Sequence, residues 1–149
     1  MNKKLVLLIA LTVALFTIGA VSAGFFDFLN FGGDTGNVDV VEDGEYCTVD
    51  EVAAYIKEFH KLPGNYITKK EAQSLGWHGG PLKSYAPGKS IGGDTFTNRQ
   101  HILPDSDYKY IECDINANGT NRGAERIVYN SGDFKVYYTD DHYATFEEV

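Results

Sequence analysis

The connections between the last three apolar runs of the chain constrain its fold most. Residues 126–129, 134–139 and 143–146 are rich in β-branched and aromatic side chains, a composition that is typical of strands. The segments NSGD and DDH join them, and neither is long enough to contain a crossover helix. These three runs are therefore predicted to be antiparallel neighbours in one sheet.

Helix signals precede these strands in the chain. The segments TVDE at 48–51 and TKKE at 68–71 both match the capping box, in which a Thr hydroxyl and a Glu carboxylate satisfy two amides at a helix start. Pro63 predicts the end of the first helix, and Gly76 predicts the end of the second. Helices first and strands last predict the α+β class, with N-terminal helices packed on a C-terminal antiparallel β-sheet.

The chain of 149 residues divides into three segments. Residues 1–23 have a basic start, an apolar run and small residues before Gly24, which predicts a cleaved signal peptide and a secreted, extracellular protein. A retained membrane anchor is the alternative, because the 19 uncharged residues from Leu5 nearly span a bilayer. Residues 24–43 are interpreted as an acidic pro-segment or tether containing Gly and Phe, and residues 44–149 as one domain.

The charge balance disfavours a broad nucleic-acid interface. Residues 44–149 contain 11 basic and 16 acidic side chains, whereas a partner of long polyanions usually has a basic surface. The tripeptide GKS at 88–90 does not change this, because Lys83 stands where a P-loop needs its first glycine and Pro87 lacks an N–H. Binding to a nucleic acid would therefore need a local basic site.

Two cysteines, Cys47 and Cys113, form an even pair in a chain predicted to be exported, so a disulfide between them is expected. Two independent buried thiols are the alternative. If Glu112 faces a substrate groove, its strand neighbour Cys113 faces the opposite side, where helices can pack. Neither cysteine lies in a C-x-x-C pair and the four histidines are scattered, so no metal site is expected.

An acid and a histidine in the strand half form a candidate catalytic pair. Glu112 and His142 are the residue types that general acid-base chemistry needs, one to take a proton and one to give it. Arg122 and Arg126 lie between them, four residues apart, and equal parity on a strand would make a phosphate clamp. The same residues also fit a merely structural interpretation, with a solvated Glu and a surface His.

Four segments carry a specific resemblance to a known family. They are HKLPGNYITKKEAQSLGW at 60–77, APGKSIGGDTFTNR at 86–99, CDIN at 113–116 and TDDHYATF at 139–146. The chain resembles barnase and its relatives, the secreted microbial guanyl-preferring ribonucleases, from about residue 52 to 146. The resemblance implies an endoribonuclease that needs no metal or cofactor and cleaves single-stranded RNA, preferably after guanosine, through a 2',3'-cyclic phosphate.

The resemblance also implies roles for individual residues. Glu112 matches the general base and His142 the general acid, while Lys69, Arg122 and Arg126 match the cations that hold the phosphate. The residues that match the base-recognition loop and the aromatic stacked on guanine are Phe96, Thr97, Asn98, Arg99, Gln100 and Tyr143. Gln100 replaces the family's glutamate, so a two-oxygen acceptor is lost and weaker guanine preference is expected.

The implied partners are RNA and a barstar-like protein inhibitor, with the enzyme a monomer and without stable membrane association after signal cleavage. Because the domain is acidic, an acidic inhibitor is expected to associate slowly. Two alternatives share the fold: a catalytically weakened module that binds RNA or an inhibitor, and a ribonuclease toxin delivered to competitor cells.

Overall fold

The computed structural model describes residues 37–149, and the predicted signal peptide and most of the tether lie outside this range. The described part contains two helices and six strands. The helices are α1 (Val49–Phe59) and α2 (Lys69–Ser74). The strands are β1 (Tyr66–Ile67), β2 (Ser90–Phe96), β3 (Tyr110–Asp114), β4 (Arg126–Asn130), β5 (Val136–Thr139) and β6 (Glu147–Glu148). Within residues 37–149, none of the helices is long and apolar enough to cross a membrane.

All six strands belong to one sheet, in which they follow the order of the sequence. Strands β2 to β6 pair antiparallel, and β1 is parallel to β2. The predicted α+β class is therefore confirmed, with one parallel pair added at the edge. The prediction of a strand over residues 143–146 is wrong, because His142 and Tyr143 have positive φ and form a turn, and the last strand is β6. Similarly, β5 begins at Val136 because Phe134 has φ 59°.

The two helix starts differ in how they are capped. The box at α2 forms as predicted: the Thr68 hydroxyl accepts from the Glu71 amide, and the Glu71 carboxylate accepts from the Thr68 amide. At α1 the box does not form: the Thr48 hydroxyl donates to the Glu51 carboxylate at 2.7 Å but accepts from no backbone amide. Helix α1 ends at Phe59, and its C-cap His60 lies in the left-handed region, before the predicted stop at Pro63.

The two faces of the sheet differ in what covers them: one packs against helix α1, and the other carries the candidate site. Helix α1 covers one face, where Val52 and Ile56 pack with Cys113, Ile127 and Val136. Because strand neighbours alternate, the next residues along β3, β4 and β5 point to the opposite face. The residues of that opposite face include Tyr110, Glu112, Asp114, Arg126, Val128, Tyr137 and Thr139. The candidate site lies on this face, away from α1.

The predicted disulfide does not form in the structure, where Cys47 and Cys113 are both free thiols. Cys113 points toward α1, as its parity with Glu112 predicts, and is fully buried. The ring of Tyr66 packs close to Cys113 over Gly92. A Cβ on Gly92 would lie 2.6 Å from both side chains. Burial raises the pKa of the Cys113 thiol, so the sulfur stays neutral in the core.

Residues 38–43, predicted to be part of the tether, pack against the domain in the structure. The Tyr55 hydroxyl of α1 donates to the Glu42 carbonyl at 2.6 Å, and Lys61 pairs with the Glu42 carboxylate at 2.9 Å. Val40, in the same segment, is buried. The compact unit containing the site thus begins at Val38.

Candidate active site

Glu112 lies in the middle of β3, and its carboxylate is largely sheltered from solvent. Its side chain is 13% exposed, and Lys69 Nζ lies 3.2 Å from Oε1. Lys69 is the first residue of α2, and its backbone amide donates to the Asp94 carboxylate at 3.0 Å. Asp94 pairs directly with Glu112 across β2 and β3. The hydrogen bond to Asp94 fixes the start of α2, and this places the Lys69 ammonium beside the largely buried Glu112 carboxylate.

Arg122 and Arg126 converge on one buried carboxylate, that of Asp114. Arg122 donates to both of its oxygens, at 2.7 and 3.0 Å, from the loop before β4. Arg126, on β4, places Nε 3.0 Å from Asp114 Oδ1 and donates from Nη1 to the carbonyls of Arg122, Gly123 and Glu125. The predicted proximity of the two arginines is thus observed, but its predicted reason is wrong: Arg122 lies outside the strand, and the shared counterion Asp114 brings the two guanidiniums together.

Both arginines are held rigidly, which matters for an anion site. Asp114 is 2% exposed and the Arg126 side chain is 4% exposed. The hydrogen bonds that Arg122 donates to Asp114 are the main cause that raises the pKa of the Arg122 guanidinium. Within residues 37–149, Arg122 makes its hydrogen bonds from Nε and Nη2, and its Nη1 makes none. Two oriented guanidiniums fit the geometry of a phosphate well.

His142 and Tyr143 occupy a tight turn after β5, and both have left-handed backbone conformations, with φ 55° and 74°. The Tyr143 ring stacks on Phe96 with centroids 5.2 Å apart. Burial raises the pKa of the Tyr143 hydroxyl most, and the neighbouring negative charge of Glu112 raises it further. The Tyr143 hydroxyl therefore lies near enough to Glu112 to be affected by its charge.

One cavity of about 420 Å³ joins this turn to the loop that follows β2. Asn98 holds the loop closed, because its amide donates to the Leu103 carbonyl at 2.9 Å and accepts from the Leu103 amide at 3.1 Å. The residues that line the cavity are Phe96, Thr97, Asn98, Arg99, Gln100, Ile102, His142, Tyr143 and Ala144. All six residues predicted to contact a base thus border one space, together with His142.

The segment containing GKS has no role at this cavity. Gly88 turns the chain with φ 76°, and Ser90 begins β2, where it is 2% exposed. Its backbone amide donates to the Asn65 carbonyl at 2.8 Å. The segment is therefore a turn leading into a strand, in agreement with the rejection of a P-loop.

Sequence reasoning missed two acidic residues that organise the site, Asp94 and Asp114. A signal existed for Asp114, because it lies two residues after Glu112 and must share its face of the strand. Asp141 directly precedes His142 in the sequence, which makes it the obvious candidate to orient the imidazole. In the structure its carboxylate instead bonds Thr139 and Thr145, and among the described residues it makes no hydrogen bond to His142.

A base, an acid and clustered cations on one face of an α+β sheet are the groups that a ribonuclease needs. Comparison with known sequences also indicates a ribonuclease. The model of the ribonuclease family matches residues 49–149. A ribonuclease of Heyndrickxia coagulans is 49% identical over 105 residues, covering 68% of this chain and 95% of that protein. One of Bacillus intermedius is also 49% identical over 105 residues, covering 68% of this chain and 64% of that protein.

A more distant relative is guanyl-specific ribonuclease Sa of Kitasatospora aureofaciens. It is 39% identical over 59 residues, which cover 38% of this chain and 62% of that protein. The chain belongs to the ribonuclease family and is a barnase-like microbial endoribonuclease. RNA is accordingly its substrate.

Proposed function

We propose that this chain is a secreted, metal-independent ribonuclease that cleaves single-stranded RNA, preferably after guanosine, by transesterification. The observation that carries the proposal is the site on the open face of the sheet. There a sheltered Glu112 lies beside Lys69, two arginines are fixed on Asp114, and His142 borders the adjoining cavity. These groups supply a base, an acid and an anion clamp, which are the components this reaction needs.

In the first step Glu112 accepts the proton of the ribose 2'-OH, and the 2'-oxygen attacks the adjacent phosphorus. The bond from phosphorus to the 5'-oxygen breaks, and His142 donates a proton to the departing oxygen. The product is a 2',3'-cyclic phosphate. In the second step water attacks the phosphorus and His142 accepts its proton. The bond from phosphorus to the 2'-oxygen breaks, and Glu112 donates a proton to that oxygen.

Lys69, Arg122 and Arg126 stabilise the negative charge that builds on the non-bridging oxygens in both steps. Such pre-oriented donors act most strongly on the transition state, because they need no reorganisation when the charge develops. DNA lacks the 2'-OH and is not cleaved by this route.

The cavity next to His142 is proposed to hold the base on the 5' side of the cut. The Tyr143 ring offers a stacking surface there, and the loop from Asn98 to Gln100 lines the same space. The guanyl specificity named for the relative from Kitasatospora aureofaciens supports guanosine. Gln100 offers one acceptor oxygen where a carboxylate offers two, so the preference for guanosine is proposed to be modest.

Incubation of the protein with RNA in EDTA tests the proposal. We expect 2',3'-cyclic phosphate ends, followed by 3'-phosphates. Glu112→Ala and His142→Ala should each lower kcat by about a hundredfold to ten-thousandfold, as is typical of general acid-base groups. Glu58→Ala and His78→Ala are matched controls, because these exposed residues lie outside the site.

Two results would contradict the proposal. Retention of RNA binding without any cyclic-phosphate product between about pH 5 and 9 would favour the binding module instead. Loss of cleavage in EDTA, restored by a divalent cation, would show a metal-dependent reaction. Secretion is tested separately, by N-terminal sequencing of the exported protein, which should begin near Gly24.

A further inference from the structure

The turn that carries His142 and Tyr143 has a backbone that needs support. Two consecutive residues with Cβ atoms have φ 55° and 74°, in the left-handed region that side chains disfavour. Such conformations persist where surrounding contacts determine them, and they are frequent at active sites. Neither residue is glycine, so the turn must be held by bonds from outside these two positions.

Three side chains supply those bonds, and we call them the brace: Thr139, Asp141 and Thr145. Asp141 Oδ1 accepts from the Thr139 hydroxyl at 2.8 Å and from the Thr145 amide at 2.9 Å. Asp141 Oδ2 accepts from the Thr145 hydroxyl at 2.5 Å. The Thr139 oxygen in turn accepts from the Tyr143 amide at 3.1 Å. The brace thus spans the turn from its first residue to its last.

The brace is anchored to the rigid part of the site. Thr139 is the last residue of β5, pairs with Arg126 on β4 and is 1% exposed. The His142 amide donates to the Ala124 carbonyl at 3.2 Å, in the loop between the two arginines. The backbone of His142 is therefore bonded to the same segment that carries Arg122 and Arg126.

We propose that Asp141, acting with Thr139 and Thr145, is a positioning residue for RNA cleavage, because it holds the backbone of His142 in reach of the leaving oxygen. The proposal rests on the proposed general-acid role of His142. Asp141 acts through the peptide backbone and not through the imidazole. A carboxylate suits this task because it only accepts, and here it collects three donors from both ends of the turn.

Loss of the brace should affect the chemical step more than binding. Displacement of a catalytic group by about 1 Å costs up to about a hundredfold in rate. Asp141→Ala is therefore expected to lower kcat for RNA about tenfold to a hundredfold, with KM changed less than about threefold. Asp140→Ala removes the same charge from the neighbouring position, which makes no hydrogen bond among the described residues, and it should leave kcat unchanged.

A second substrate separates positioning from general damage. A nucleoside 3'-(4-nitrophenyl phosphate) loses a stabilised phenolate, which needs little protonation, so the general acid contributes little to its cleavage. Asp141→Ala should cleave this substrate within about threefold of the wild-type rate. Asp141→Asn and Thr145→Ser keep part of the brace and should recover most of the activity on RNA.

Equal losses on both substrates would overturn the proposal, because they would show damage that does not pass through His142. The structure of the Asp141→Ala variant is a test that is independent of ribonuclease activity. There φ of His142 or Tyr143 should leave the left-handed region. If both angles stay near 55° and 74°, the brace does not position the turn. Failure of the wild-type protein to cleave RNA would instead refute the proposed function.

Discussion

Asp114 offers the sharpest test of how the site is built, through the substitution Asp114→Asn. This change keeps the volume of the side chain but removes a charge that is 2% exposed. Arg126 then stays buried, with 4% of its side chain exposed, and Arg122, 25% exposed, loses its paired acceptor. The variant leaves two cations next to each other without their common anion.

The expected cost follows from burial. Removal of one partner from a buried ion pair costs about 3–5 kcal/mol, because the remaining charge has no compensation. Since Arg122 is partly solvated, the lower end is expected, about 3 kcal/mol. With a urea m-value of about 2 kcal/mol/M for a domain of this size, the unfolding midpoint should fall by about 1.5 M.

Equilibrium urea unfolding, followed by tyrosine and tryptophan fluorescence, measures this shift. Asp107→Asn is the matched control, because Asp107 is exposed and takes part in no ion pair within the described residues. A midpoint for Asp114→Asn within about 0.5 M of the wild type, at unchanged m-value, would refute the argument. It would mean that water or a rearranged acceptor compensates both guanidiniums.

Three further predictions concern other parts of the molecule. Gln100→Glu should raise the kcat/KM preference for guanosine over adenosine about tenfold, because two carboxylate oxygens can accept from guanine; an unchanged ratio in dinucleotide assays would exclude Gln100 from base contact. Hydrogen bonds from the side chain and then the amide of Thr145 lower the pKa of Asp141 to about 2, so its stabilisation is present above about pH 4 and lost as pH falls toward 2. The difference in unfolding midpoint between wild type and Asp141→Asn should therefore shrink over that range, and a constant difference would contradict the assignment. Gly92→Ala should cost about 1–3 kcal/mol, because its Cβ would lie 2.6 Å from Cys113 Cβ and from the Tyr66 ring; an unchanged melting temperature would show that the strand yields.

The sequence by itself determined the features that depend on neighbours along the chain. The capping box at Thr68 and the antiparallel pairing of β4 with β5 form as predicted, because a few consecutive residues and a short connection specify each. Strand alternation likewise placed Glu112 and Cys113 on opposite faces. The segments that resemble barnase identified the family, which the comparisons confirm.

Only the tertiary structure decided what distant residues do together. The convergence of Arg122 and Arg126 on Asp114 depends on how β3 and β4 pair, and no local pattern states it. The turn at His142 replaced a predicted strand because bonds from Thr139 and Asp141 outweigh the local β preference of its aromatic residues. Cys47 and Cys113 are free thiols in the structure, and Tyr66 packs beside Cys113, a contact between residues 47 positions apart in the sequence. Contacts at such separation are fixed by the packing of the whole sheet, and this is why composition and spacing predicted the elements but not the bonds between them.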